Sequence, residues 1–373
     1  MSLARASTPA LAALAVLSLT LYALAERSLQ PAHADAFHKK IEAVRLMQRA
    51  EKIIGEARRA QGLTLDPRND PENYGIIGPQ FSLITTDRGS ATAKSLAAHP
   101  NFAAAVTQMM LQAGVHEGDL VAVGMTGSLP GFNLAVLSAC RSIGAEPVII
   151  TSAGASMFGA NDPEMTWLDM EALTSSKKLW DFHSVAASLG GGGDVGRGLS
   201  PAGRQLLRDA IDRNHVLYLE PTSVFEGVKQ RVAIYDSVAA ARHKLIACYV
   251  NVGGGVASLG GAQNGRLIPP GLSRRLTTRN YPNRGVVNVL GERHVPVIHL
   301  LQVERLARDF DVVDGGMTPV KPGAGLLFIR YRYNLWIVAV SVLILLGANL
   351  FVLRHDLRQQ WLGRPHPERV HHT

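Results

Sequence analysis

The chain has 373 residues, 47% hydrophobic and 18% charged. It is too apolar to stay disordered and too polar for a polytopic membrane protein. It shows neither a Gly-X-Y period nor a sustained heptad, which excludes collagen-like and coiled-coil classes. A net charge of +8 and a pI near 9.6 suit a polyanion or an acidic membrane lipid as partner. The cations are scattered without interleaved aromatics, so no nucleic acid is expected. Cys140 and Cys248 cannot build a disulfide framework and read as small buried side chains.

A short N-terminal tail (1–9) precedes an uncharged signal-type segment, residues 10–25. A retained signal anchor is expected, and Ala23-Leu24-Ala25 offers a cleavage site as the alternative. Residues 36–61 place Ile41, Val44, Met47 or Leu46, Ile53 and Ile54 at helical spacing, predicting an amphipathic connecting helix that leads away from the membrane. Asp66 to Pro71 breaks it and opens an α/β body over 66–328. Helices are predicted there over 102–113, 134–144, from Pro201, over 226–240 and over 286–309. Strands are predicted over 119–124, 146–150, 215–220 and 244–252. The alternation predicts a doubly wound, mostly parallel, Rossmann-like sheet flanked by N- and C-terminal membrane helices. Residues 335–353 carry no charge, start near Tyr333 and Trp336, and lie between Arg332 and Arg354, the pattern of a transmembrane helix. A basic tail, 354–373, follows.

The signal character places the body outside the cytoplasmic membrane and the tail inside. Arg354, Arg358, Arg364 and Arg369 agree with that orientation, whereas Arg27, Lys39, Lys40, Arg45, Arg330 and Arg332 oppose it, so the charge rule is nearly balanced and the signal character decides.

In a parallel sheet, ligands gather where strands end. Gly124 to Asn133 follows one predicted strand; its glycines, including Gly127, free backbone N–H groups, and Thr126, Ser128 and Asn133 add polar groups at a helix start. The same residues also suit a plain capped turn. Thr151 to Glu164 follows a second strand and offers Ser156 and Asn161, with Asp162, Glu164 and Asp169 as carboxylates for acid–base work or a cation. Asp162-Pro163-Glu164 equally fits a helix N-terminus. Asn251 to Gly261 follows a third, with Gly253 and Gly254 permitting close backbone approach to a ligand or only a turn. Gly191, Gly193 and Gly196 match GxGxxG, but no strand is predicted before them. Asp194, Arg197 and Arg204 accompany this segment, and Ser200-Pro201 reads as a helix cap.

No Walker loop, HExxH pair or GxSxG elbow is present in the sequence, no metal-ligand spacing is recognised, and no cofactor is indicated. An enzyme acting on amide bonds would use Ser128 or Ser156 as nucleophile with Asp162 or Glu164 as base. A histidine near either serine would favour that reading.

Several segments together resemble the poly-γ-glutamate system proteins. They are Ile84-Thr85-Thr86 with Asn101-Phe102, Gly127 to Asn133, Gly154 to Glu171, Gly196 to Ser200 and Asn251 to Gly255, spread over residues 74 to 300. The resemblance implies a membrane-associated accessory role in poly-γ-glutamate production, beside a separate amide ligase and other membrane subunits. It assigns no catalytic residue. The expectation is a membrane-anchored protein whose strand-end loops bind a polyglutamate or glutamyl ligand through Thr126, Ser128 and Asn133, with Arg197 or Arg204 as counter-charge. A hydrolase or transferase of γ-glutamyl amides, and a non-catalytic membrane scaffold, are the alternatives.

Overall fold

A computed structural model describes residues 8–63, 66–277 and 281–362 of the chain. Arg364 and Arg369, named above for the C-terminal tail, lie outside the described residues. In chain order the elements begin α1 (Thr8–Arg27), β1 (Gln30–His33), α2 (Phe37–Ala60), α3 (Ala91–Ala97), α4 (Asn101–Ala113), β2 (Leu120–Thr126), α5 (Pro130–Ile143), β3 (Glu146–Ser152), β4 (Asn161–Asp162), β5 (Met165–Thr166) and α6 (Trp167–Ser176). They continue with β6 (Ser184–Ser188), α7 (Pro201–Arg213), β7 (Leu217–Tyr218), α8 (Val224–Ala241), β8 (Ile246–Val252), α9 (Val256–Leu259) and α10 (Asn264–Leu267). The last are β9 (Gly271–Ser273), α11 (Val286–Glu292), β10 (Val297–Leu300), α12 (Val303–Asp309), β11 (Ile329–Arg332) and α13 (Leu335–Leu362). They form two compact units: residues 34–328, and the two chain ends together.

Seven strands of the larger unit form one sheet in the order β7-β6-β3-β2-β8-β10-β9, parallel throughout except for β9 against β10. The near-continuous apolar runs of β2 and β3 follow from this, because a parallel sheet with helices on both faces buries both sides of each strand. Alternate residues of β2 therefore divide between two cores. Val121 and Val123 join the side chains of α2, α4 and α5, while Leu120 and Ala122 join those of α8 and α11. From β2 the chain builds outward through β3, β6 and β7, then crosses back to place β8 on the other side of β2. The winding reverses between β2 and β8, where a doubly wound sheet opens a crevice at its strand C-termini.

Three expectations are corrected. Residues 286–309 are not one helix, since β10 separates α11 from α12 and pairs with β8 in the sheet. A strand, β6, does precede the glycine run at 190–193. Asp162-Pro163-Glu164 turns the β4–β5 hairpin, with Asp162 Oδ1 accepting from the Glu164 N–H at 3.1 Å, and α6 starts only at Trp167. The amphipathic helix expected as a connector is α2, and it packs inside the larger unit through Ala43, Val44, Met47, Ala50 and Ile54. Even its two buried cations are satisfied there: Lys40 Nζ donates to Gln108 Oε1 and the Leu327 carbonyl, and Arg58 to the carbonyls of Gly75 and Ile77.

The smaller unit pairs β1 with β11 in antiparallel register, from Gln30 opposite Arg332 to His33 opposite Ile329. Next to this ribbon α1 and α13 touch, and Tyr333 Oη donates to Glu26 at 2.7 Å. Two helical stretches, Thr8–Arg27 and Leu335–His355, are long and apolar enough to cross a membrane, with mean hydropathies of 1.8 and 2.5.

Burial raises the Glu171 carboxyl to about 7, against hydrogen bonds from the Ser184 N–H and hydroxyl that favour its charge. A folded-state value above the unfolded one means the native state holds the extra proton. Stability from this group is thus complete below pH 4.5 and is lost as pH rises through about 7. The loss amounts to about 3 kcal/mol at most. Thermal unfolding of the full-length protein in detergent should show this decline, and Glu171→Gln should flatten it.

Candidate functional site

The strand C-termini meet in a cleft of about 650 Å³ at the reversal between β2 and β8. Thr126 and Ser128 enter it from β2, Ser152, Gly154 and Ser156 from β3, Gly191, Gly192 and Arg197 from the loop after β6, and Gly253 to Gly255 from β8. Gln302 and Glu304 border it from the start of α12. The three small-residue loops singled out in sequence thus open onto one space.

The segment before α3 supplies the remaining wall. Thr86 N–H donates to the Ala155 carbonyl at 2.8 Å and Met157 N–H to the Asp87 carbonyl at 3.0 Å, so residues 85–87 are zipped onto the loop after β3. This pairing delivers Arg88 and Lys94 to the cleft. Lys94 is buried; its Nζ donates to the Ser128 carbonyl and, over 2.8 Å, to Ser156 Oγ. Ser156 N–H in turn donates to Ser128 Oγ at 3.0 Å. Burial lowers the Lys94 ammonium to about 8, with Asp87 partly opposing the shift.

Thr126 Oγ1 is buried at the cleft without a hydrogen-bond partner, an unmet polar group at the end of β2. Asn251 shapes the turn opposite, donating from Nδ2 to the Gly253 carbonyl and to His299 Nδ1, both at 2.9 Å. Burial holds His299 down at about 4, so its ring is neutral and its Nδ1 is an acceptor at ordinary pH.

Other residues singled out in sequence lie elsewhere or serve the frame. Asn133 is buried in α5 and donates to the Thr126 carbonyl at 2.9 Å, fixing the strand end from behind. Gly127 lets the loop after β3 pass: its carbonyl accepts from Ala160 N–H, and an added Cβ would sit 2.7 Å from the Ala153 oxygen. Asn161 spans the Pro79 carbonyl and Thr85 Oγ1, each at 2.9 Å. Arg204 is spent on the Leu199 carbonyl. Asp194 is wholly buried and pairs with Arg231 at 2.7 Å while accepting from the Ser152 and Ser188 hydroxyls. It secures the glycine loop from beneath.

The acids proposed as base for Ser128 or Ser156 are not in the cleft. Asp162 sits in the hairpin, and Glu164 borders a separate hollow with Asp169 and Arg213, which form an ion pair at 2.6 Å. Among the described residues neither serine has a histidine partner, and no cluster of His, Cys, Asp or Glu is arranged for a metal. The group that does reach Ser156 is Lys94, which sequence reasoning missed. Its signal was a single cation whose helical neighbours at three and four positions, Ala91, Ala97 and Ala98, mark a buried face.

No protein-family model, curated protein or solved structure matches the chain.

Proposed function

We propose that this protein is a membrane-anchored accessory component of poly-γ-glutamate synthesis or export, and that its strand-end cleft binds glutamyl carboxylates. Three glycine-rich strand ends, three cations (Arg88, Lys94 and Arg197) and the unpartnered Thr126 hydroxyl share one crevice, and that convergence carries the binding reading. Guanidinium groups grip carboxylates through paired N–H donors, and close-set glycines let a chain approach the backbone. The pathway rests on the resemblance of the strand-end segments to poly-γ-glutamate system proteins. Two apolar helices support anchoring in the cell membrane. The signal character of the first supports a body on the outer side and a cytoplasmic tail, and the resemblance supports other subunits of the system as partners. A pure scaffold would need no such crevice.

Binding of a short γ-linked oligoglutamate to the detergent-solubilised protein tests the ligand reading. Arg88→Ala and Arg197→Ala should each weaken it about tenfold, the worth of one charge-assisted contact. Raising the salt should weaken wild-type binding further. Unchanged affinity in both variants would place the ligand outside the cleft.

A further inference from the structure

The geometry points to Ser156 as a nucleophile, with Lys94 as its base, for acyl transfer at a carbonyl of the bound glutamyl chain. This rests on the cleft's taking such a chain and goes beyond binding. Ser156 Oγ borders the cleft and lies 2.8 Å from Lys94 Nζ, within direct proton-transfer reach. Ser128 supports this pair rather than competing with it. Its carbonyl accepts one Lys94 hydrogen, and its hydroxyl oxygen holds the Ser156 N–H. With Lys94 neutral, the amine keeps its hydrogen on the Ser128 carbonyl and turns its lone pair to the Ser156 hydroxyl. Burial brings Lys94 to about 8, so a useful fraction is neutral in mildly alkaline medium. Serine–lysine pairs are a known variant of nucleophile activation.

The chemistry balances with groups already present. Lys94 Nζ takes the Ser156 proton as Oγ bonds to the amide carbonyl carbon, and the carbonyl electron pair moves to oxygen. When that pair returns, the C–N bond breaks and Lys94 delivers its proton to the leaving amine. An ester to Ser156 remains. Water, giving hydrolysis, or the amine of a second glutamyl chain, giving transfer, attacks the ester. Lys94 accepts the incoming proton and returns it to Ser156 Oγ.

A fluorophosphonate probe applied to the full-length protein in detergent reads the nucleophile directly by intact mass and peptide mapping. One adduct is expected, on Ser156, at a rate that rises about tenfold per pH unit until it levels near 8. Ser156→Ala should abolish it, whereas Ser128→Ala, which removes only the acceptor of the Ser156 N–H, should slow it while leaving the adduct on Ser156. Lys94→Met should slow labelling by about 100-fold or more and remove the pH dependence. The wild-type pH profile tests the base even if Lys94→Met fails to fold. No adduct on the folded wild type, an adduct on another residue, or a Lys94→Met variant with the wild-type rate and profile would overturn the assignment. Oligoglutamate binding on the same samples separates the two readings. Binding without labelling removes the nucleophile and leaves the cleft, whereas labelling without binding removes the glutamyl ligand and leaves the pair.

Discussion

Replacing Arg231 with methionine is expected to cost about 3–5 kcal/mol, the largest loss of any single change considered. Arg231 is 3% exposed and its partner Asp194 is fully buried, so the variant strands a carboxylate where water cannot reach it. The damage is local as well as global. Asp194 sits at a φ of +67° inside the turn between Gly190 and Gly196, and it holds Ser152 and Ser188 at the ends of neighbouring strands. Without its counter-charge the loop that carries Arg197 loses its anchor. A lower unfolding temperature should therefore accompany weaker oligoglutamate binding. The double variant Arg231→Met with Asp194→Asn removes both charges and should recover much of the lost stability, because a neutral amide is cheaper to bury than an unpaired carboxylate. Equal unfolding temperatures for the single and double variants would show that the stranded charge is not the cause.

Gly253→Ala is expected to destabilise the protein by about 2 kcal/mol or more and to abolish cleft binding. Its φ of +83° already disfavours any side chain. An added Cβ would stand 2.4 Å from Thr126 Oγ1, so the strained methyl is driven onto the polar group left open to the cleft. Gly254 is exposed and an added Cβ there meets no atom within 4 Å, so Gly254→Ala serves as the control, with near wild-type unfolding. Thermal unfolding and oligoglutamate binding of the two variants check both halves of the expectation.

The fold was legible where strands are long and apolar. Leu120–Thr126, Glu146–Ser152 and Ile246–Val252 announce themselves as buried parallel strands, and Ser200 before Pro201 accepts from the Gly203 N–H as a helix cap should. Ser184–Ser188 escaped because SVAAS is short and nearly free of bulky side chains, although pairing with β3 and β7 makes it a full member of the sheet. The apolar content of 286–309 hid β10, whose onset is set by His294 at a φ of +64° and by Pro296. At the site, the small polar loops were readable since strand ends impose their composition. The partners of each loop were not. Asp162 and Glu164 follow Ser156 closely in sequence yet turn away in a hairpin, while Lys94, far off in sequence, reaches Ser156 because residues 85–87 pair with the loop after β3. Tertiary pairing, not local spacing, decides which groups meet.

The most direct test of the central claim is polymer yield in cells that carry the complete poly-γ-glutamate pathway but lack this protein. They would be complemented with wild type or with the Arg88→Ala, Arg197→Ala double variant, each at matched membrane abundance. Deletion should lower yield, and only the wild type should restore it. Undiminished yield on deletion, or full rescue by the double variant, would contradict it.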